Sequence, residues 1–267
     1  MCTTSDSAPP IASGPTPPLV RERLTLTSTA PDGAPLAAFA ARPHVPTGVG
    51  VAVLPDFRGL APFYRDLAVR LAEQGHTAVA IDYYGRTAGA GERDDHFPFM
   101  AHAARLTRVG IQGDLGAAIA WLRDAAGGGC RTVFTLGFCM GGRASFLAST
   151  QHPDLAGTIG FYGAPGITGP YQDPGPTQLA DRLTAPVLAL MGGADDGIPV
   201  SEVEAFDAAL ATAGIEHEVM IYPNAPHGFF DTRQAEFADA CTDAWRRTLH
   251  FIQRHHHQDR ARSTSAP

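Results

Sequence analysis

A cysteine set between glycines, an aspartate at the tip of a later apolar run and a histidine beyond a further one have the types and order for covalent chemistry in this 267-residue chain. The cysteine is Cys139 in Gly137-Phe138-Cys139-Met140-Gly141-Gly142, preceded by Val133-Phe134-Thr135-Leu136 and followed by Arg143-Ala144-Ser145-Phe146-Leu147-Ala148. The residues before it read as a short buried strand and those after it as a helix. Small residues two before and two after the apex let the two backbones pass closer than a Cβ allows. Such a G-x-C-x-G turn lifts the side chain out of the sheet, beside the first N–H groups of the helix, where a thiolate is favoured. An inert core cysteine is the alternative for this residue taken alone. What separates the two readings is an acid and then a histidine downstream, in that order.

The acid comes from Leu188-Ala189-Leu190-Met191-Gly192-Gly193-Ala194-Asp195-Asp196-Gly197-Ile198-Pro199, where a buried strand ends in two aspartates. A carboxylate on a strand tip reaches a histidine and fixes its tautomer. The residues alone leave Asp195 and Asp196 both open for that role. Ser201 is expected to cap the next helix, with Glu204 closing a capping box, so that at least one aspartate is left for chemistry. The base is expected at His227, in the post-strand loop Tyr222-Pro223-Asn224-Ala225-Pro226-His227-Gly228-Phe229-Phe230. Among the other histidines, His76, His102, His152, His217 and His250 fall at element edges or on helical faces, and His44 and His96 precede the cysteine. In this arrangement His227 takes the thiol proton and the acid stabilises the imidazolium. The oxyanion is expected against the N–H groups of Met140 and of Phe57, in the loop after the apolar run 48–54.

These residues need a scaffold of strands alternating with helices, and the chain has one. Strands are expected near 22–28, 35–42, 48–54, 77–83, 133–137, 156–162, 186–191 and 217–222. Helices are expected over 61–75, a stretch ending in 115–125, the run after Cys139, 201–214 and 235–251. Gly75 is expected as a left-handed cap, and Gly127-Gly128-Gly129 as a stop. The alternation implies an α/β fold with a mostly parallel central sheet covered on both faces, as a single domain over residues 21–254. Ligands then bind outside the carboxyl ends of the strands. Residues 1–20, rich in Pro, Ser and Thr, read as a disordered tail, and 255–267 as a polar one.

Composition narrows the partners. A net charge of −7 gives no electrostatic footprint for nucleic acid or an anionic membrane. No apolar run approaches a transmembrane length, and the first ten residues lack the basic and apolar regions of a secretory signal. Cys2, Cys130, Cys139 and Cys241 lie far apart, so reduced thiols in a cytoplasmic protein are expected rather than a disulfide framework. No nucleotide fingerprint and no metal-ligand spacing stands outside the terminal His255-His256-His257, so neither cofactor nor metal is expected. The expected partner is a small-molecule ester or lactone, and the expected state a monomer or weak homodimer.

With these three segments in view, the chain resembles the dienelactone hydrolase family of the α/β-hydrolase fold, from about residue 24 to 251. The resemblance rests on Gly137-Phe138-Cys139-Met140-Gly141-Gly142, on Gly193-Ala194-Asp195-Asp196-Gly197-Ile198-Pro199 and on the segment around His227. It implies hydrolysis of an ester or lactone by a Cys139–His227–Asp195 triad through a thioester, and its acid register selects Asp195 over Asp196. It also implies that Asp56, one methylene shorter than the family's glutamate, modulates the resting nucleophile. Arg86 sits where the resemblance implies an arginine for a substrate carboxylate; Tyr84 and Tyr162 are expected as further substrate contacts. A second arginine, implied four residues past His227, is replaced by Asp231. Two other readings remain: a binding or sensor protein with a silent triad, and a redox-sensing thiol with Cys130 approaching Cys139 in space.

Overall fold

The computed structural model describes residues 9, 18–94, 96–166, 173–231 and 233–264, with side chains to 257. Eight strands form one sheet: β1 (Leu19–Thr27), β2 (Pro35–Pro43), β3 (Val49–Leu54), β4 (Thr77–Ile81), β5 (Thr132–Phe138), β6 (Gly157–Phe161), β7 (Val187–Gly192) and β8 (His217–Tyr222). Seven α-helices accompany them: α1 (Pro62–Glu73), α2 (Gly85–Ala88), α3 (Phe99–Ala103), α4 (Arg108–Arg123), α5 (Met140–Phe146), α6 (Val200–Thr212) and α7 (Ala238–Thr264).

The strand order is β1-β2-β4-β3-β5-β6-β7-β8. β2 pairs antiparallel with both β1 and β4, and every pairing from β4 to β8 is parallel. The residues explain the split. β3, β4, β5, β6 and β7 are buried at every position, the signature of parallel strands covered on both faces. β1 alternates half-buried and exposed residues, as an antiparallel edge with one wet face does. Helices α1 and α7 join the core on one face, and α4 with the start of α5 joins it on the other. A third cluster seals α6 against β7 through Val203, Phe206 and Leu210.

Three expectations change. The first strand begins at Leu19, inside the stretch read as a tail; the rest of residues 1–17, apart from Pro9, lies outside the described residues. The last helix runs on to Thr264 through the segment read as a polar tail, because His255 is buried at 3% exposure against Phe251. Helix α6 starts from Pro199 with no side-chain cap, so the box drawn on Ser201 and Glu204 does not form. Pro199 is itself the N-cap, so Ser201 falls inside the first turn, past the position from which it could cap. No helix among the described residues is long and apolar enough to cross a membrane.

Candidate active site

The sheet's carboxyl edge is where the elbow forms. β5 leads into Cys139, which sits at φ 53° and ψ −115°, a backbone state that costs about 1–3 kcal/mol for a residue with a side chain. Flanking bonds hold it there: the N–H of Cys139 donates to the Phe161 carbonyl at 3.0 Å, and the N–H of Arg143 donates to the Cys139 carbonyl at 3.1 Å. A Cβ on Gly137 would strike the carbonyl oxygen of Gly141, and one on Gly141 would strike that of Leu54. Both glycines are therefore demanded by close approach. Cys139 is half-buried, whereas Cys130 and Cys241 are buried.

Two strands over, the chain leaves β7 and turns at Asp195. Its Oδ1 accepts the N–H groups of Gly197 at 2.9 Å and Ile198 at 3.2 Å. Its Oδ2 lies 2.7 Å from Nδ1 of His227. The carboxylate is 1% exposed and the imidazole 30%, so the carboxylate is buried and the imidazole reachable. A carboxylate only accepts, so Nδ1 carries the proton and Nε2 of the neutral ring is the acceptor. Asp196 is exposed, and the geometry therefore joins His227 to Asp195.

The imidazole is braced from its other side. Its ring centroid lies 5.0 Å from that of Tyr162, a fully buried residue at φ 38°. The Tyr162 N–H is tied to the Leu190 carbonyl at 2.9 Å, and its hydroxyl donates to Oδ2 of buried Asp231 at 2.9 Å. Tyr162, expected to contact substrate, is thus packed against the imidazole, and Asp231 is the acceptor its buried hydroxyl needs.

Three tyrosines, all fully buried, clamp the loop after β3. Tyr83 donates its hydroxyl to the Pro55 carbonyl at 2.8 Å, the N–H of Asp56 donates to the Tyr64 hydroxyl at 3.0 Å, and Tyr84 donates to the Phe57 carbonyl. The peptides around Phe57 are held rigid, and the N–H groups of Phe57 and Met140 have no acceptor among the described residues. Tyr84 therefore acts on the loop, with its ring packed against Phe97 and Phe99. Asp56 is fully buried, and its Oδ1 accepts the Arg58 N–H at 2.8 Å, closing a local turn.

A cavity of about 730 Å³ opens beside Cys139, Phe57 and Met140. Arg86 is not among its lining residues. The Arg86 guanidinium grips Asp114 through Nη1 at 2.7 Å and Nη2 at 3.0 Å, Asp32 through Nε at 2.8 Å, and Ser28 at 3.1 Å. This corrects the sequence expectation, because a guanidinium so engaged offers no fork to a ligand carboxylate. Arg108, half-buried at the start of α4, does line the cavity. Its signal in the sequence is a cation directly after a Thr cap. The redox pairing of Cys130 with Cys139 is also corrected. The seven-residue β5 separates them, and at about 3.3 Å per residue that is roughly 20 Å or more. No group of three or more metal-ligating side chains occurs among the described residues.

The dienelactone hydrolase family profile matches residues 36–256, nearly all of this sheet and its helices. The chain belongs to that family. A Rhodococcus opacus carboxymethylenebutenolidase is 31% identical over 263 residues, covering 96% of this chain and 97% of that protein. A Salmonella typhimurium protein named as a candidate carboxymethylenebutenolidase is 31% identical over 232 residues, with 85% and 86% covered. A Klebsiella pneumoniae structure, named as a candidate dienelactone hydrolase, superposes with a TM-score of 0.73 at 28% identity, covering 88% of this chain and 99% of that one. As a dienelactone hydrolase family member with the α/β-hydrolase fold, the chain is a carboxylic ester or lactone hydrolase.

Proposed function

We propose that this family member opens a small ester or lactone by covalent thiol catalysis. The observation that carries the reading is the 2.7 Å bond from buried Asp195 to His227, at the same sheet edge as the strained apex of Cys139. Among the described residues the Cys139 thiol makes no side-chain hydrogen bond. In this reading Nε2 of His227 takes the thiol proton. The thiolate then attacks the carbonyl carbon, forming a C–S bond while the carbonyl π pair moves onto oxygen. The N–H groups of Phe57 and Met140 hold that oxyanion. Collapse expels the alkoxide, which takes the proton from His227, and leaves a thioester on Cys139. Water, deprotonated by His227, attacks the thioester, and the thiolate departs and recovers its proton. For a lactone the expelled oxygen becomes a hydroxyl on the acyl chain itself, so nothing leaves the enzyme until the second step releases the hydroxy acid. No step calls for a cofactor.

The test is a rapid-mixing assay with p-nitrophenyl acetate. A burst of p-nitrophenolate equal to the enzyme concentration is expected, as is the loss of turnover by a factor of at least about 10³ in Cys139→Ala and in His227→Ala. Turnover by Cys139→Ala near the wild-type rate would overturn the mechanism.

A further inference from the structure

Resting on that reading, we propose that the substrate is an ester with an extended apolar body ending in an anionic group, and that Arg108 reads that group. The cavity beside Cys139 holds about 730 Å³. That lies within the range of about 300–1,000 Å³ that accepts drug-sized ligands, far more than an acetate needs. Its wall is built from apolar side chains, among them Met100, Leu106, Ile111, Ala144 and Leu147. Each methylene buried there leaves water and adds affinity.

Three charged residues break that wall: Arg108, Arg143 and Asp173. Arg143 is 5% exposed and holds the loop after β6, donating to the carbonyls of Ala164 at 2.8 Å, Gly166 and Asp173 at 3.2 Å. Asp173 is exposed to solvent and forms no ion pair with Arg108. Arg108 has neither a hydrogen-bond nor an ion-pair partner among the described residues. The backbone beneath it has the same sign. Thr107 Oγ1 satisfies the N–H of Gly110 at 3.1 Å, while the N–H groups of Arg108 and Val109, in the first turn of α4, lack intrahelical acceptors. A guanidinium on an apolar wall attracts a carboxylate more strongly than one in water. The ester carbon at Cys139 and an anion at Arg108 share one cavity, so they are two ends of one molecule separated by an apolar spacer.

The test uses p-nitrophenyl esters of unbranched acids from acetate to decanoate, together with the p-nitrophenyl monoesters of adipate and suberate. We expect kcat/KM to rise with chain length, and the carboxylated ester to exceed the neutral one of equal length. In Arg108→Gln the ratio of carboxylated to neutral kcat/KM falls about tenfold, the loss of one charge-assisted hydrogen bond. Arg108→Lys restores part of it, and Arg86→Lys keeps the wild-type ratio. Fastest turnover on acetate, or a ratio indifferent to Arg108→Gln, overturns the inference and leaves the thiol mechanism standing. A binding arm separates the two claims: Cys139→Ala is titrated calorimetrically with 4-phenylbutyrate and with 4-phenylbutanol. The acid is expected to bind about tenfold tighter, an advantage that Cys139→Ala/Arg108→Gln loses. Equal binding of acid and alcohol overturns the inference even if no ester is hydrolysed, an outcome that by itself sinks only the proposed function.

Discussion

Asp195 spends both carboxylate oxygens, one on two backbone N–H groups and the other on His227. Asparagine keeps the shape but presents an amide where the imidazole needs an acceptor, so the ring takes the wrong tautomer. Asp195→Asn is therefore expected to lower kcat by about 10⁴-fold with the fold retained, measured by ester turnover beside circular dichroism. The three described cysteines differ in the same local way. Burial and the Asp231 charge push the Cys241 thiol up to about 12, and burial raises that of Cys130. Both are thiols rather than thiolates near pH 8. Iodoacetamide at that pH is expected to modify Cys139 ahead of Cys130 and Cys241, read by peptide mass spectrometry. Faster labelling of either buried cysteine would refute the assignment of the elbow as the reactive position.

At the scale of elements, the loop after β3 stands where it does because of three hydroxyls that come from α1 and the tip of β4. A donor aimed at an oxyanion works through fixed position, and removing one outright typically costs about 10²–10³ in kcat. Loosening the support costs less. Tyr83→Phe deletes one tie without emptying the core and is expected to lower kcat about tenfold with KM within about twofold, from steady-state kinetics. An equal rise in KM would mean that the loop binds substrate rather than the transition state. The elbow was readable because strand, apex and helix are contiguous and the glycines exclude every larger side chain. The clamp was not readable, since Tyr64 and Tyr83 look in sequence like ordinary core aromatics and Tyr84 was expected at the substrate. Ser201 differs for a related reason: a good capping residue caps nothing when the helix already begins at Val200.

The whole molecule is held together by charge as well as by its sheet. Arg86 joins the β1–β2 turn at Asp32 to α4 at Asp114, whose side chain is 1% exposed. Burial raises the pKa of Asp114, opposed by the hydrogen bond from Arg86. Arg86→Met strands that carboxylate and is expected to destabilise the fold by about 3–5 kcal/mol, measured by urea unfolding. His76 ties α1's exit to Thr47, with Nδ1 3.0 Å from the hydroxyl. Burial, with the nearby His256 charge, pushes His76 down to about 4. Between that value and about 6.5 the unfolded chain binds a proton that the folded one refuses, so stability falls as pH drops through this window. In His76→Gln the difference in Tm between pH 7.5 and pH 5 is expected to shrink; an unchanged difference would assign the acid sensitivity elsewhere.

The amino-acid order alone marked the alternating strands and helices, the elbow turn and the segments that carry Asp195, Asp196 and His227, because each follows from rules acting over a few neighbours. Which aspartate meets His227 was decided by folding. Strands buried on both faces are apolar throughout, a close crossing demands glycine, and an acid on a strand tip is marked by the apolar run before it. Folding decided which arginine meets the cavity and what Tyr162 and Asp231 do. The partners of Arg86 stand 54 and 28 residues away, and Asp231 stands 69 residues from Tyr162. Whether a charge is paired or left facing a ligand depends on which distant side chains the fold brings beside it, and no local pattern encodes that.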